Sequence, residues 1–271
     1  MRRLIHSLCL SLSLAAPLVA QAPDPAPEKS PTLFTWDDAA LAGTFAVATV
    51  ALFPLDKKYA EKLQDSTTQA NRFFRTSATD FRWMGSPGAI LIGVSMYAVG
   101  RVAHVPRAAD LGLHGLEAIA LAGAFTDLIK WGAGRARPYV VGDTNPHDFK
   151  LGRGWGKSAY TSFPSGHTTI GFAAAAAVTA ETHRWWPRSV WVIGPVMYGG
   201  ATMIGLSRMY NNKHWASDVA VGAMIGTFSG IKVVRYNHTH PNNRIDRLLL
   251  GGTVAMNANG GGEIYWSMKL R

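Results

Sequence analysis

Three short clusters between Lys130 and Asp218 carry the residue types that handle a phosphate. Lys130, Arg137 and Pro138 fall in KWGAGRARP; Pro164, Ser165, Gly166 and His167 in FPSGH; Ser207, Arg208, His214 and Asp218 in SRMYNNKHWASD. A phosphoryl group in transfer spreads negative charge over its equatorial oxygens, so catalysis is chiefly positioning and electrostatic stabilisation. Lys130, Arg137 and Arg208 suit that task, because ammonium groups and guanidinium forks match phosphate oxygens. A helix opening at or just after Ser165 adds backbone N–H donors and the positive end of its dipole, with the Ser165 hydroxyl as a further donor. His214 and Asp218 are four apart, which on a helix puts them on one face. The carboxylate can then hold the imidazole in one tautomer and stabilise its cation. That makes His214 a candidate nucleophile and leaves His167 to protonate the leaving oxygen and later activate water.

Taken singly, each cluster has a commonplace reading: helix-end cations capping carbonyls, a Pro-Ser-Gly turn, a surface His/Asp pair. Together, in order and internal spacing, they resemble the three-part signature of the type 2 phosphatidic acid phosphatase family. That superfamily also contains bacterial acid phosphatases and vanadium-dependent haloperoxidases. The resemblance implies a helical core, a metal-independent phosphomonoesterase mechanism without a cofactor, and a phosphohistidine intermediate. Carried over by position, Lys130, Arg137, Ser165, Gly166 and Arg208 would bind phosphate, His167 would be the acid, His214 the nucleophile and Asp218 its partner. Ser207 matches the signature without an evident chemical role.

Six apolar segments must position these residues: roughly Asp38–Phe53, Pro87–Val102, Leu111–Trp131, Thr168–Ala180, Ser189–Leu206 and Val219–Val234. All are rich in Ala and Gly, which suits close helix packing. The expected fold class is all-α, a six-helix core bundle. Lys130 closes the third segment, PSGH opens the fourth, Ser207 and Arg208 close the fifth, and His214 and Asp218 open the sixth. In an up-and-down bundle these points share one end. Between the first two segments, Asp56–Gly85 reads as an amphipathic helix plus a loop. Its Arg72, Arg75 and Arg82 form a solvated face or line the substrate entrance. The glycine-rich loop from Tyr139 to Phe163 is where substrate specificity is expected.

Residues 1–22 read as a secretory signal peptide, with Arg2 and Arg3 before a Leu/Ser/Ala run and small residues at Ala20 and Ala22. The single cysteine, Cys9, lies inside it, so the mature chain would hold no disulfide. Residues 23–35 form a proline-rich linker, residues 36–237 the helical phosphatase domain, and residues 238–271 a tail. Within the tail, alternation around Asn259–Gly262 predicts a small β-hairpin. The formal charge of +10 points to an anionic substrate or anionic lipid, and no aromatic stacking pattern supports nucleic acid. No metal is expected. Asp143 and His147 lack a partner at ligand spacing, and His104, His114, His183, His238 and His240 read as surface or helix-end residues.

A bilayer asks for about 20 apolar residues, more than several segments offer. The expectation is an exported helical domain, periplasmic and soluble or on the membrane surface, with an integral membrane arrangement left open. The function these features support is a phosphatase acting on a lipid phosphate or small phosphomonoester. A vanadate-dependent haloperoxidase and a non-catalytic phospholipid-headgroup-binding protein are the alternatives.

Overall fold

The computed structural model describes residues 32–241, 243–256 and 262–266. The expected signal peptide and most of the linker lie outside these residues. The elements are α1 (Trp36–Leu52), α2 (Asp56–Gln64), α3 (Ser66–Ala70), α4 (Arg72–Trp83), α5 (Ala89–Val102), α6 (Pro106–Ala133), α7 (Gly166–Trp185), α8 (Val190–Tyr210), α9 (Ala216–Thr239) and α10 (Arg244–Leu249). Strands β1 (Gly252–Met256) and β2 (Gly262–Trp266) follow. They pair antiparallel, with Val254 opposite Ile264, as the expected hairpin requires. The six expected helices are present as α1, α5, α6, α7, α8 and α9. The stretch expected as one amphipathic helix is instead three short helices, α2 to α4. Asp65 and Asn71 break it: their side chains accept the first N–H groups of α3 and α4.

Helix α7 is the axis of the bundle and packs against α6, α8 and α9. Its alanines Ala173, Ala175, Ala176 and Ala177 are buried. Close approach is built into α9 by a stripe of small residues one turn apart. A Cβ at Gly222 would meet the Ser165 carbonyl oxygen at 2.6 Å, and one at Gly226 the Thr169 carbonyl oxygen at 2.3 Å. Larger residues there would push α7 away and displace Ser165.

Among the described residues, five helical stretches are long and apolar enough to cross a membrane: Trp36–Gln64, Arg72–Val102, Pro106–Ala133, Pro187–Tyr210 and Ala216–Thr239. Their outward faces expose Val47, Val50, Leu91, Ile92, Leu128 and Val196. An apolar girdle of this kind suits hydrocarbon better than water. Membrane integration, the arrangement the sequence left open, therefore replaces the soluble or surface-bound domain. Counting only the apolar residues between charges gave short segments, whereas the helices continue through their polar ends.

Candidate active site

The ends of α6 and α8 meet the starts of α7 and α9, so the three clusters converge as the motif order predicts. Helix α6 stops where Gly134 turns into the left-handed region at φ 55° and its N–H returns to the Lys130 carbonyl. This leaves Lys130 in the last turn. Its ammonium donates to the carbonyl of Thr161 at 3.0 Å and to that of Pro164, which ties α6 to the turn that opens α7. Ser165 is wholly buried there, its N–H donating to the Asp218 carbonyl at 3.0 Å and its hydroxyl accepting from Thr168 at 2.8 Å. The N–H groups of Gly166 and His167 open α7 and have no intrahelical acceptor, which leaves them aimed out of the helix end. A Cβ at Gly166 would sit 3.5 Å from the Lys130 Cε, so serine turn and lysine are neighbours.

His214 precedes α9 rather than lying on it, and this changes its partner. Its Nδ1 is 2.6 Å from the Ser162 carbonyl oxygen and 3.6 Å from Asp218 Oδ2. The Asp218 contact is thus an ion-pair distance, while the closer carbonyl fixes the tautomer: Nδ1 carries the proton and Nε2 the lone pair. The Asp218 carboxylate is occupied elsewhere. It accepts from the Trp215 N–H at 2.8 Å, the Ser162 hydroxyl at 2.5 Å and Arg135 Nη1 at 2.5 Å. It caps α9 and fixes the loop whose carbonyl orients His214. Burial, reinforced by Lys130 and Arg137, pushes the His214 imidazole down to about 3 against the pull of Asp218. At neutral pH the imidazole is uncharged, the form a nucleophile needs.

The cations differ in how fully they are engaged. Arg137 donates to the Ser158 carbonyl at 2.8 Å, the Thr161 hydroxyl at 3.2 Å and the Lys213 carbonyl at 3.4 Å, and burial lowers its pKa. Arg208 is 6% exposed, and its Nε is buried with no hydrogen-bond partner. No carboxylate among the described residues pairs with it. His167 is pushed down to about 4, first by burial and then by Arg208, Lys130, Arg82 and Arg137. Arg82 therefore belongs to the electrostatics of the site, although its side chain is exposed. Ser207 donates to the Ile204 carbonyl at 2.6 Å, a bond within its own helix.

Two participants were not singled out in the sequence. Ser162 serves both His214 and Asp218. Arg135, wholly buried, pairs with Asp218 and with Asp56 at 2.8 Å and lies against Phe53, Phe149 and Trp215. The missed signal is alternation: Arg135 and Arg137 lie two apart in extended chain, and Arg135 bridges to Phe149. His147 stacks on Phe53 and Asp143 accepts from Asn212. His114 is buried, against the expectation of a surface residue, because Glu181 and His238 surround it.

Buried cations, a helix N-terminus and two imidazoles held uncharged by burial thus gather at one end of the bundle, an arrangement suited to an oxyanion. Residues 111–241 match the family model described as the PAP2 superfamily. Over 75 residues the chain is 44% identical to a lipid A 1-phosphatase of Porphyromonas gingivalis, covering 27% of this chain and 16% of that protein. Over 88 residues it is 28% identical to an undecaprenyl-diphosphatase of Sulfolobus acidocaldarius, covering 32% of this chain and 39% of that protein. The chain thus spans less than half the length of these curated relatives. Among solved structures, the transmembrane PAP2 type phosphatidylglycerolphosphate phosphatase from Bacillus subtilis superposes with a TM-score of 0.57 at 17% identity, covering 78% of this chain and 99% of that one. That likeness shows a shared fold.

Proposed function

We propose that the protein is a metal-independent phosphatase that hydrolyses a lipid phosphate through a phosphohistidine intermediate. The observation that carries this reading is Arg208, a buried guanidinium whose Nε has no acceptor and which pairs with no carboxylate among the described residues. Burying a charge unpaired is costly, and a phosphate seated between Arg208, Lys130, Arg137 and the start of α7 relieves that cost. His214 Nε2 attacks phosphorus in line, the bond from phosphorus to the leaving oxygen breaks, and His167 gives that oxygen a proton. Water then attacks the phosphohistidine, returns a proton to His167 and frees His214 and phosphate.

A lipid substrate is favoured by an apolar cleft of about 240 Å³ between α4 and α8, lined by Phe73, Phe74, Phe81, Met203 and Leu206 and reaching Ser207, next to Arg208. The relatives named as lipid A 1-phosphatase and undecaprenyl-diphosphatase agree with that preference. The test is phosphate release by the purified chain in detergent with EDTA, from phosphatidate, a polyprenyl diphosphate and nitrophenyl phosphate. The lipids should turn over faster, and His214→Ala should bring release to background while vanadate still binds. Turnover retained in that variant would remove His214 as nucleophile, and faster release from nitrophenyl phosphate would remove the lipid preference.

A further inference from the structure

A second buried polar cluster lies at the opposite end of the helices. His114 and Lys130 are sixteen residues apart on α6, which places them about 24 Å apart along its axis at 1.5 Å per residue. Glu181, near the end of α7, is wholly buried. Its carboxylate oxygens each lie 2.9 Å from His238 Nε2, and one also bonds His114 Nδ1. On the far side of the same ring, His114 Nε2 faces Asp246 Oδ1 of α10 at 3.5 Å, and both atoms are buried without a hydrogen-bond partner. His114, His238, Asp246 and Asp110 line a cavity of about 390 Å³. Among the described residues, neither Glu181 nor Asp246 forms an ion pair with a lysine or arginine.

We propose that His114 Nδ1, Glu181 and His238 Nε2 bind one divalent metal ion of the zinc class. One ligand atom from each already lies within 4.8 Å of the others. Asp246 stands on the far side of the His114 ring, where its carboxylate favours the proton on Nε2 and leaves Nδ1 free to ligate. Two imidazoles with a carboxylate, and a water in the fourth position, suit zinc or cobalt, whereas magnesium and calcium prefer oxygen-only shells. Tetrahedral ligands at about 2.0–2.2 Å from zinc stand roughly 3.3 Å apart, close to the 2.9 Å between His238 Nε2 and Glu181. The ion replaces the protons shared between Glu181 and the histidines and offsets the charge of a carboxylate that has no fixed cation. It ties α6, α7 and α9 together, with α10 held through Asp246, so its role is structural and distant from the reacting phosphate.

The full chain in detergent, stripped with a chelator and dialysed, is titrated with zinc and, as a spectroscopic probe, with cobalt. The expected result is one equivalent per chain by elemental analysis, with the intense visible absorption of four-coordinate cobalt. Both should be lost in the double variant His114→Ala/His238→Ala. The milder Asp246→Asn should keep its helical circular dichroism and phosphate release while binding zinc at least about tenfold more weakly. Wild type that takes up no more zinc or cobalt than the double variant overturns the proposal and leaves a proton-sharing network. So does an equivalent that survives both substitutions, because that ion lies elsewhere.

Discussion

The Arg135 guanidinium meets Asp218 at 2.5 Å with both side chains wholly buried, and its other nitrogen meets Asp56 at 2.8 Å. One arginine therefore joins the start of α2 to the start of α9 and holds the carboxylate that organises the His214 loop. Ser217 stitches the same network, its N–H and hydroxyl both donating to Asp56. Removing the arginine leaves two buried carboxylates uncompensated, an arrangement that costs about 3–5 kcal/mol. Arg135→Ala should lower thermal stability accordingly. Arg135→Lys keeps a charge without the fork and should fold while lowering kcat more than it raises KM, since Arg135 positions His214 through Asp218 and Ser162. Thermal unfolding and steady-state kinetics check this, and an unchanged melting temperature in Arg135→Ala would refute the structural part.

How much of this was legible follows from where each residue sits. Lys130, Ser165, Arg208 and His214 could be placed together from sequence because each adjoins a helix end, and helix ends of an antiparallel bundle meet. Arg135 and Ser162 lie in irregular chain, where no period says which side chain points inward. The Glu181 cluster was missed for another reason: His114, Glu181, His238 and Asp246 come from four helices and share no local spacing. The membrane-facing girdle was underestimated because helix length was judged from apolar runs alone.

His167 is proposed to act on the leaving group, so its loss should depend on what leaves. An alkoxide needs a proton as the bond to phosphorus breaks, whereas nitrophenolate departs readily without one. His167→Asn should slow alkyl phosphates by about 10²–10⁴-fold, the span typical of general acid catalysis, and nitrophenyl phosphate far less. Parallel kinetics on the two esters give the comparison, and equal losses would assign His167 to phosphate binding instead.

On the proposed mechanism, the proton that His167 donates must arrive with the substrate. In the free site burial and the surrounding cations hold its pKa down to about 4, so near neutrality it is uncharged. A bound oxyanion cancels the repulsion from Arg208, Lys130 and Arg137 and raises that value in the complex. Between the free and bound values the complex holds a proton that the free protein lacks. Binding therefore takes up protons, and affinity falls as pH rises through the bound value. Calorimetry of phosphate binding near pH 6, in two buffers of different ionisation enthalpy, should show up to about one proton more taken up by wild type than by His167→Asn. Subtracting the variant removes the titration of phosphate itself, and identical uptake in both would contradict this account.

Arg208 offers the sharpest separation of stability from function. Among the described residues its buried guanidinium lacks a counter-charge and its Nε lacks an acceptor, so the unliganded protein carries a desolvation cost that a bound anion offsets. Arg208→Met keeps the length and apolar stem of the side chain but removes the charge. Replacing a buried charge with an apolar residue of similar shape is often stabilising by about 1–4 kcal/mol. The variant should therefore melt higher than wild type in the absence of phosphate, and vanadate should narrow the difference by raising the wild-type transition alone. Its kcat/KM should fall by about 10²–10³-fold, the effect typical of losing one donor to a charged transition state. Thermal scans with and without vanadate, beside phosphate release, read both quantities on one sample. A variant that melts lower in the absence of anion would mean that the guanidinium is satisfied in the free protein, and the central support for an oxyanion site at Arg208 would be gone.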